Sequence, residues 1–323
     1  MLHDFTVMFR ELANQSGLSI ERLAALCEVA EAGSIGKASR GDANRQSLLS
    51  RQIAELEGVF GVPLLARHSR PYRLTTEGSN LAIAARQFFK VADDLQKRSN
   101  GSAQRVVVGA GEMLIQWLLF PATETIRRES KHVAFAFKNL DSIRLLEATL
   151  NGEVDLALLR AEDTPASLSR TATLFYQQTV FVARTLSRAA GTLRVKELAS
   201  LPWAVLEGRG HFRTFLEERA HQAGCKLNAA LECSSYTQVA MAVETGHYAG
   251  FLPDFAAVTF AAKPSILQRS VAPELRYQRS LVLAWKESTI RSRPLLAEII
   301  QSLHKKMVTR LAKSDSQRKS NAE

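Results

Sequence analysis

Two fold classes in tandem are predicted: a small, mainly α-helical N-terminal module ending in a long helix, then an α/β domain. Three observations predict them. Short helical periods at the start of the chain run into a basic hairpin. A seam of Leu81, Phe88 and Leu95, spaced by seven, marks a long helix. After the small, polar stretch "KRSNGSAQ", buried-strand runs alternate with helical periods, the pattern of α/β units around a largely parallel sheet.

In chain order, residues 1–18 read as an N-terminal extension with a short helix carrying Leu2, Phe5, Met8 or Phe9, and Leu12 on one side. Ile20 to Glu31 is helical, with Leu23, Leu26 and Ala30 on one face. A short helix opens at Ser34, a good N-cap, and runs to Arg40. A turn at Gly41-Asp42-Ala43 leads to a third helix, expected to be capped by Asn44, to run from Arg45 to Phe60, and to be closed by Gly58, Gly61 and Pro63. "LLARHSRPYRLT" reads as a hairpin turning at Ser69-Arg70-Pro71. The long helix spans Thr76 to about Arg98. Beyond the linker, strands are expected at "RVVVGA", "VAFAFKN", "VDLALLR", "PWAVLEG", "YAGFLP" and "RSLVLAWK", with helices between them and a last helix from Arg293 to Met307. The domains are therefore 1–18, 19–75 (winged helix-turn-helix), 76–104 (linker and dimerisation helix), 105–307 (α/β) and 308–323, a polar tail expected to be disordered.

The third helix carries the functional signal. One residue every 100° gathers Leu49, Ile53, Leu56 and Phe60 into an apolar stripe. Gln46, Ser47, Ser50, Arg51 and Ala54 gather away from it. Long polar side chains beside short ones, at a helix N-terminus, suit a helix that enters the DNA major groove. There Arg reads guanine, Gln reads adenine, and small residues admit the backbone. Periodicity alone favours a solvated face; the surroundings shift the balance. From Lys37 to Arg73 there are seven basic residues against three acidic, a local excess of +4, and Arg67, Arg70 and Arg73 sit on the hairpin, where a wing meets phosphates.

Composition agrees. A 323-residue chain with 46% hydrophobic and 23% charged residues is globular, and a formal charge of +10 favours an anionic partner. The three cysteines, Cys27, Cys225 and Cys233, form no paired motif, which points to a reducing cytoplasm. No apolar run approaches the ~20 residues of a membrane span, so no membrane partner is expected. None of the seven histidines falls in a metalloprotease or Cys/His spacing, and no P-loop or nucleophile elbow occurs. Neither an enzyme, a bound metal nor a cofactor is expected.

"AEAGSIGKAS", "QSLLSRQIAELEGVFGVPLLAR" and "RLTTEG" together resemble the N-terminal domain of LysR-type transcriptional regulators, without a gap over Ile20 to Gln87. The likeness is carried by Gly33-Ser34, Ser50-Arg51-Gln52-Ile53, Leu56-Glu57, Gly61-Val62-Pro63-Leu64 and Leu74-Thr75 with Gly78. More weakly, "VVVGAGEMLIQWLLFPA", "LNGEVDLALL" and "VETGHYAGFLP" resemble the family's effector domain, two α/β halves like a periplasmic binding protein with a cleft between them. The resemblance implies a sequence-specific regulator of promoter DNA, a homodimer or homotetramer acting with RNA polymerase, controlled by a small-molecule effector. Its DNA-facing set is Ser34, Arg45, Gln46, Ser47, Ser50, Arg51, Arg67, Arg70 and Arg73, and its dimer seam is Leu81, Phe88 and Leu95. Effector contacts are expected at loops after strands and at helix starts: Gly111, Glu112, Met113, Ser142, Glu207 and Arg209, with Ser235, Phe251 and Pro253 at further pocket positions. Ser142 equally serves as a helix cap. Carboxylate-binding relatives often carry Ser/Thr where this chain has Gly111-Glu112. A simple small carboxylate is therefore not expected as effector, unless Arg209 neutralises Glu112. Asp42, Asn44, Arg45 and Ser47 depart from the family pattern, so the turn is expected to be held by Asp/Asn hydrogen bonds. The competing reading, from another class, is a small-molecule-binding α/β module whose winged helix serves as a protein-interaction domain.

Overall fold

Helix signals and strand signals separate along the chain as they do in space. The structure, a computed structural model, describes residues 17–66, 72–187, 192–208 and 210–320, and for 315–320 the backbone alone. The expected N-terminal helix and the hairpin turn at Ser69-Arg70-Pro71 lie outside the described residues. The chain forms two compact units, one of the residues up to Gln104 together with Leu150–Glu153, and one of Arg105–Thr149 and the residues from Val154 onward.

In the first unit, α1 (Ile20–Ala32) is capped by Ser19, which accepts the Arg22 N–H, and closed by Gly33 in the left-handed region. Ser34 caps α2 (Ile35–Ala38), and α3 (Ala43–Phe60) follows. Leu26, Val29, Ile35, Leu49, Ile53 and Leu56 meet in one core, so the apolar stripe of α3 faces inward as its periodicity requires; Phe60 packs half-buried at its edge. The cap of α3 is Asp42, not Asn44. Asp42 Oδ1 accepts the N–H groups of Asn44 (2.8 Å) and Arg45 (3.1 Å), so the helix starts two residues before the expected Arg45. The reversal into it places Arg40 (φ 52°) and Gly41 (φ 84°) both left-handed.

The wing's strands, β1 (Leu65–Ala66) and β2 (Arg73–Leu74), pair antiparallel. Glu57 at the end of α3 accepts the N–H groups of Leu64 (2.8 Å) and Leu65 (3.0 Å) and so holds the wing's first strand. Thr75 opens α4 (Thr76–Ser99): its hydroxyl donates to Pro63 O (2.8 Å) and accepts the Gly78 N–H (3.0 Å). A Cβ on Gly78 would stand 2.3 Å from Leu64 O, which accounts for the glycine. Ala82 and Ala85 are the buried side of α4.

The second unit runs β3 (Gln104–Ala110), α5 (Glu112–Leu114), a π-helical turn (Ile115–Leu119), α6 (Phe120–Glu129), β4 (Val133–Asn139), α7 (Ser142–Leu150), β5 (Leu156–Arg160), β6 (Ser169–Arg170), β7 (Leu174–Ala183), α8 (Val195–Ser200), β8 (Pro202–Leu206), α9 (His211–Gln222), β9 (Asn228–Cys233), α10 (Tyr236–Glu244), β10 (Ala249–Pro253), a 3-10 turn (Asp254–Phe260), β11 (Ile266–Arg269), a second 3-10 turn (Pro273–Leu275), β12 (Tyr277–Trp285), α11 (Glu287–Ser292) and α12 (Leu295–Ser320). Among the described residues these strands form one sheet in the order β4-β3-β5-β12-β7-β10-β8-β9, with β6 added on β12 and β11 on β7.

The sheet is less parallel than expected. β3–β5, β8–β9 and β8–β10 are parallel, but β12 pairs antiparallel with both β5 and β7, and β7 with β10. Two parallel halves are therefore joined through two long antiparallel strands that cross between them. One of these, β7, lies in a stretch where no strand was expected.

The opening of β3 is tied down by a buried ion pair. Arg293 Nη1 lies 2.7 Å from Asp155 Oδ1, with the two side chains 4% and 0% exposed. Asp155 Oδ2 accepts the Val107 N–H, and Arg293 Nη2 donates to Arg105 O. The expected disordered tail is also corrected. α12 continues to Ser320, Leu311 and Ser314 are buried, and Arg310 Nε donates to Trp117 O at 2.7 Å.

Candidate nucleic-acid interface and ligand cleft

α3 presents Gln46, Ser47, Ser50 and Arg51 to solvent along its N-terminal half. Arg51 makes no ion pair among the described residues, so its guanidinium is free to meet a base or a phosphate. Ser47 Oγ donates back to Ala43 O (2.9 Å), leaving its lone pairs outward. Two members of the expected set behave differently. Arg45 is ion-paired with Glu28 of α1, and Ser34 is 2% exposed with its hydroxyl accepting the Lys37 N–H. Neither is poised for DNA as it stands: Arg45 must exchange an exposed pair worth roughly 0–1 kcal/mol, and Ser34 is a cap. Arg73 is exposed on β2, while Arg67 and Arg70 lie outside the described residues. Leu48, 48% exposed beside this face, was passed over because a leucine reads as core, yet an apolar side chain in the major groove meets the thymine methyl.

Along α4, Phe88 and Leu95 are 52% and 55% exposed, and Leu81 is half-buried. The seam thus divides: its first member leans on the unit's own core, and the other two stand out from it.

In the second unit, a cleft of about 240 Å³ opens where β3, β4 and β5 end and β7 and β12 cross. Gly111, Glu112, Met113 and Ser142 line it as expected. The crossing strands add Tyr176 and Gln178 from β7 and Arg279 from β12, Arg160 ends β5, and Phe212 and Tyr236 begin α9 and α10. These six were missed because they become neighbours only when the antiparallel strands cross. The inner wall is basic and aromatic. Arg279 lies over the Tyr277 ring at 4.8 Å and makes no ion pair among the described residues. Burial pushes the phenols of Tyr176 and Tyr236 upward, so both stay neutral hydrogen-bonding groups. Gln178 is 4% exposed, and its Oε1 has no partner.

The acidic lip is already engaged. Thr237 Oγ1 donates to Glu112 Oε1 and lies equally close, 2.6 Å, to Gln116 Oε1. Asp141 accepts the Arg144 N–H at 3.0 Å. Among the described residues, the positive charge of the cleft comes from Arg160 and Arg279; Arg209, expected to offset Glu112, lies outside the described residues.

Glu207 and Phe251 line a second, apolar cavity of about 150 Å³ beside the cleft. Ser235 caps α10 by accepting the Gln238 N–H, and Pro253 is buried at the end of β10. Larger hollows of about 440 and 540 Å³ lie along α12, away from the strand ends that gather polar groups.

Residues 20–79 match the profile described as bacterial regulatory helix-turn-helix protein, lysR family, and residues 99–307 match the LysR substrate binding domain. The chain belongs to the LysR family. It is a DNA-binding transcriptional regulator with an effector-binding domain. Among LysR-type relatives, it is similar to a probable nitrogen assimilation transcriptional activator of Synechococcus elongatus, 23% identical over 286 residues, covering 86% of this chain and 92% of the relative. It is 24% identical over 242 residues to the uncharacterized HTH-type transcriptional regulator YfiE of Escherichia coli, covering 74% and 82%. Solved LysR-family structures share the fold. ArgP from Mycobacterium tuberculosis superposes with a TM-score of 0.63 at 17% identity, covering 88% of this chain and 96% of that one. Full-length CbnR in complex with its target DNA gives 0.53 at 19% identity, covering 92% and 100%. Among the described residues, no helix of this LysR-type regulator is long and apolar enough to cross a membrane.

Proposed function

We propose that α3 reads promoter DNA through Gln46, Ser47, Ser50 and Arg51, with Arg73 and its neighbours on the wing, Arg67 and Arg70, on phosphates. Ser34 acts as a positioning residue that orients the helix-turn-helix through its cap. Arg45 trades Glu28 for the DNA backbone on binding. The observation that carries this reading is the solvent-facing, unpaired Arg51 amid short side chains on a helix whose opposite stripe is core. α4 pairs with a second copy along Leu81, Phe88 and Leu95, so that two recognition helices meet two half-sites. A small-molecule effector enters the cleft beside Gly111–Met113 and Ser142 and regulates that binding; RNA polymerase is the partner on the promoter.

Replacing Arg51 by Ala is expected to weaken binding to the selected operator by about 1–3 kcal/mol and to flatten preference among single-base operator variants. Fluorescence anisotropy against an operator set measures both. Equal loss on every sequence makes Arg51 a phosphate anchor and overturns its reading role; wild-type protein without salt-sensitive DNA affinity overturns the interface as a whole.

A further inference from the structure

The polar cleft and the apolar cavity share two walls, Phe212 and Tyr236. A chain of ring contacts leads from one to the other. Arg279 lies over Tyr277, Tyr277 meets Phe212 at 4.9 Å, Phe212 meets Phe251 at 5.1 Å, and Phe251 stacks on Trp203 at 4.7 Å, with 16° between the planes. One end of this path is the guanidinium of Arg279, which makes no ion pair among the described residues. The other is an apolar cavity walled by Trp203, Leu216, Leu227 and Phe251.

The charges nearest the apolar cavity are committed elsewhere. Arg213 is held by Glu217 and Glu232, both at 2.9 Å, and donates to Leu206 O and Gly208 O. Glu207 is exposed. At about 150 Å³ and with mainly apolar walls, this cavity has room for a benzene-sized group. A ligand that fills both spaces must therefore be amphipathic.

We infer that the effector is a monoanionic amphiphile, with a carboxylate-sized head on Arg279 and a phenyl-sized apolar end past Phe212 and Tyr236 against Trp203 and Phe251. This rests on the reading of the cleft as the effector site. Arg160, held by Asp163 at 3.7 Å, stands by as a second positive charge for the head. Glu112 and Asp141, occupied by Thr237 and Arg144, stay on the lip. A head-only acid leaves the apolar cavity empty, and a ring-only alcohol leaves Arg279 unpaired.

Calorimetric titration of the full chain with 3-phenylpropanoate, propanoate and 3-phenyl-1-propanol tests this. The aromatic acid is expected to bind about thirtyfold tighter than propanoate. Arg279→Gln is expected to weaken both acids and leave the alcohol unchanged. Leu227→Trp fills the apolar cavity from a half-buried position and is expected to abolish the aromatic advantage while sparing propanoate; Ala229→Trp, from an exposed position, repeats the test if the first variant unfolds. Equal affinity for the two acids, an aromatic advantage that survives the filled cavity, or no saturable binding of any probe overturns the inference. DNA binding measured on the same preparation separates the two readings. Salt-sensitive DNA affinity without acid binding sinks this inference alone, whereas absent DNA affinity sinks the regulator's interface.

Discussion

At the turn before the recognition helix, Asp42 holds the start of α3 with two hydrogen bonds. Its carboxylate takes the Asn44 and Arg45 N–H groups, which no helical carbonyl can reach. Asp42→Ala is expected to cost about 1 kcal/mol of stability, whereas Asn44→Ala stays within about 0.5 kcal/mol; urea melts of the full chain distinguish them. A larger cost for Asn44→Ala would return the cap to Asn44. Residues whose role is local were the most legible in sequence. Gly78 and Thr75 belong to one spaced motif, and the structure gives that motif its reason, a close approach to Leu64 O and a double hydroxyl bond. Arg45 was not legible in this way, because its partner Glu28 is 17 residues away on another helix.

At the scale of elements, periodicity located the longer helices and the parallel strands with continuous apolar runs, but not the parallel strand β9, whose "NAALEC" is largely exposed. It missed β7. "LFYQQTVFVA" interrupts its apolar run with two glutamines, and one of them, Gln178, lines the cleft. Crossing strands carry the site's inner wall, so missing the element meant missing Tyr176, Gln178 and, through its pairing with β12, Arg279. The C-terminus misled in the opposite direction. A polar composition from residue 308 onward signals disorder only if the few apolar residues lack a place to go, and Leu311 has one. Truncation after Met307 is therefore expected to destabilise the protein by about 3 kcal/mol, from the lost burial of Leu311 and the bond from Arg310 to Trp117 O. Truncation after Ser314 keeps both and is expected to melt like the full chain. Equal melting temperatures for the two truncations would restore the tail to an appendage.

For the whole molecule, the question is how many copies of the basic face act at once. A net charge of +10 draws the protein toward DNA over a distance, but steering cannot distinguish one protomer from two. Salt dependence can. Each phosphate neutralised contributes about 0.9 to the slope of log affinity against log salt on duplex DNA. If α4 joins two copies, the slope on a two-half-site operator sums the contacts of both faces, and half of it belongs to each. Phe88, half-exposed and pointing away from the core of its own unit, can be replaced by Glu without touching α3 or the wing. Like charges then face each other across the seam, and the two-copy complex is disfavoured. Phe88→Glu is expected to halve the salt slope and to bind a single half-site as wild type does, because the reading face is intact. Sedimentation velocity on the same samples should show the smaller species. An unchanged slope with an unchanged sedimentation coefficient would place the two-fold contact elsewhere than on Leu81, Phe88 and Leu95. An unchanged sedimentation coefficient with a halved slope would mean that the copies stay joined but no longer hold both recognition helices at the spacing of the two half-sites.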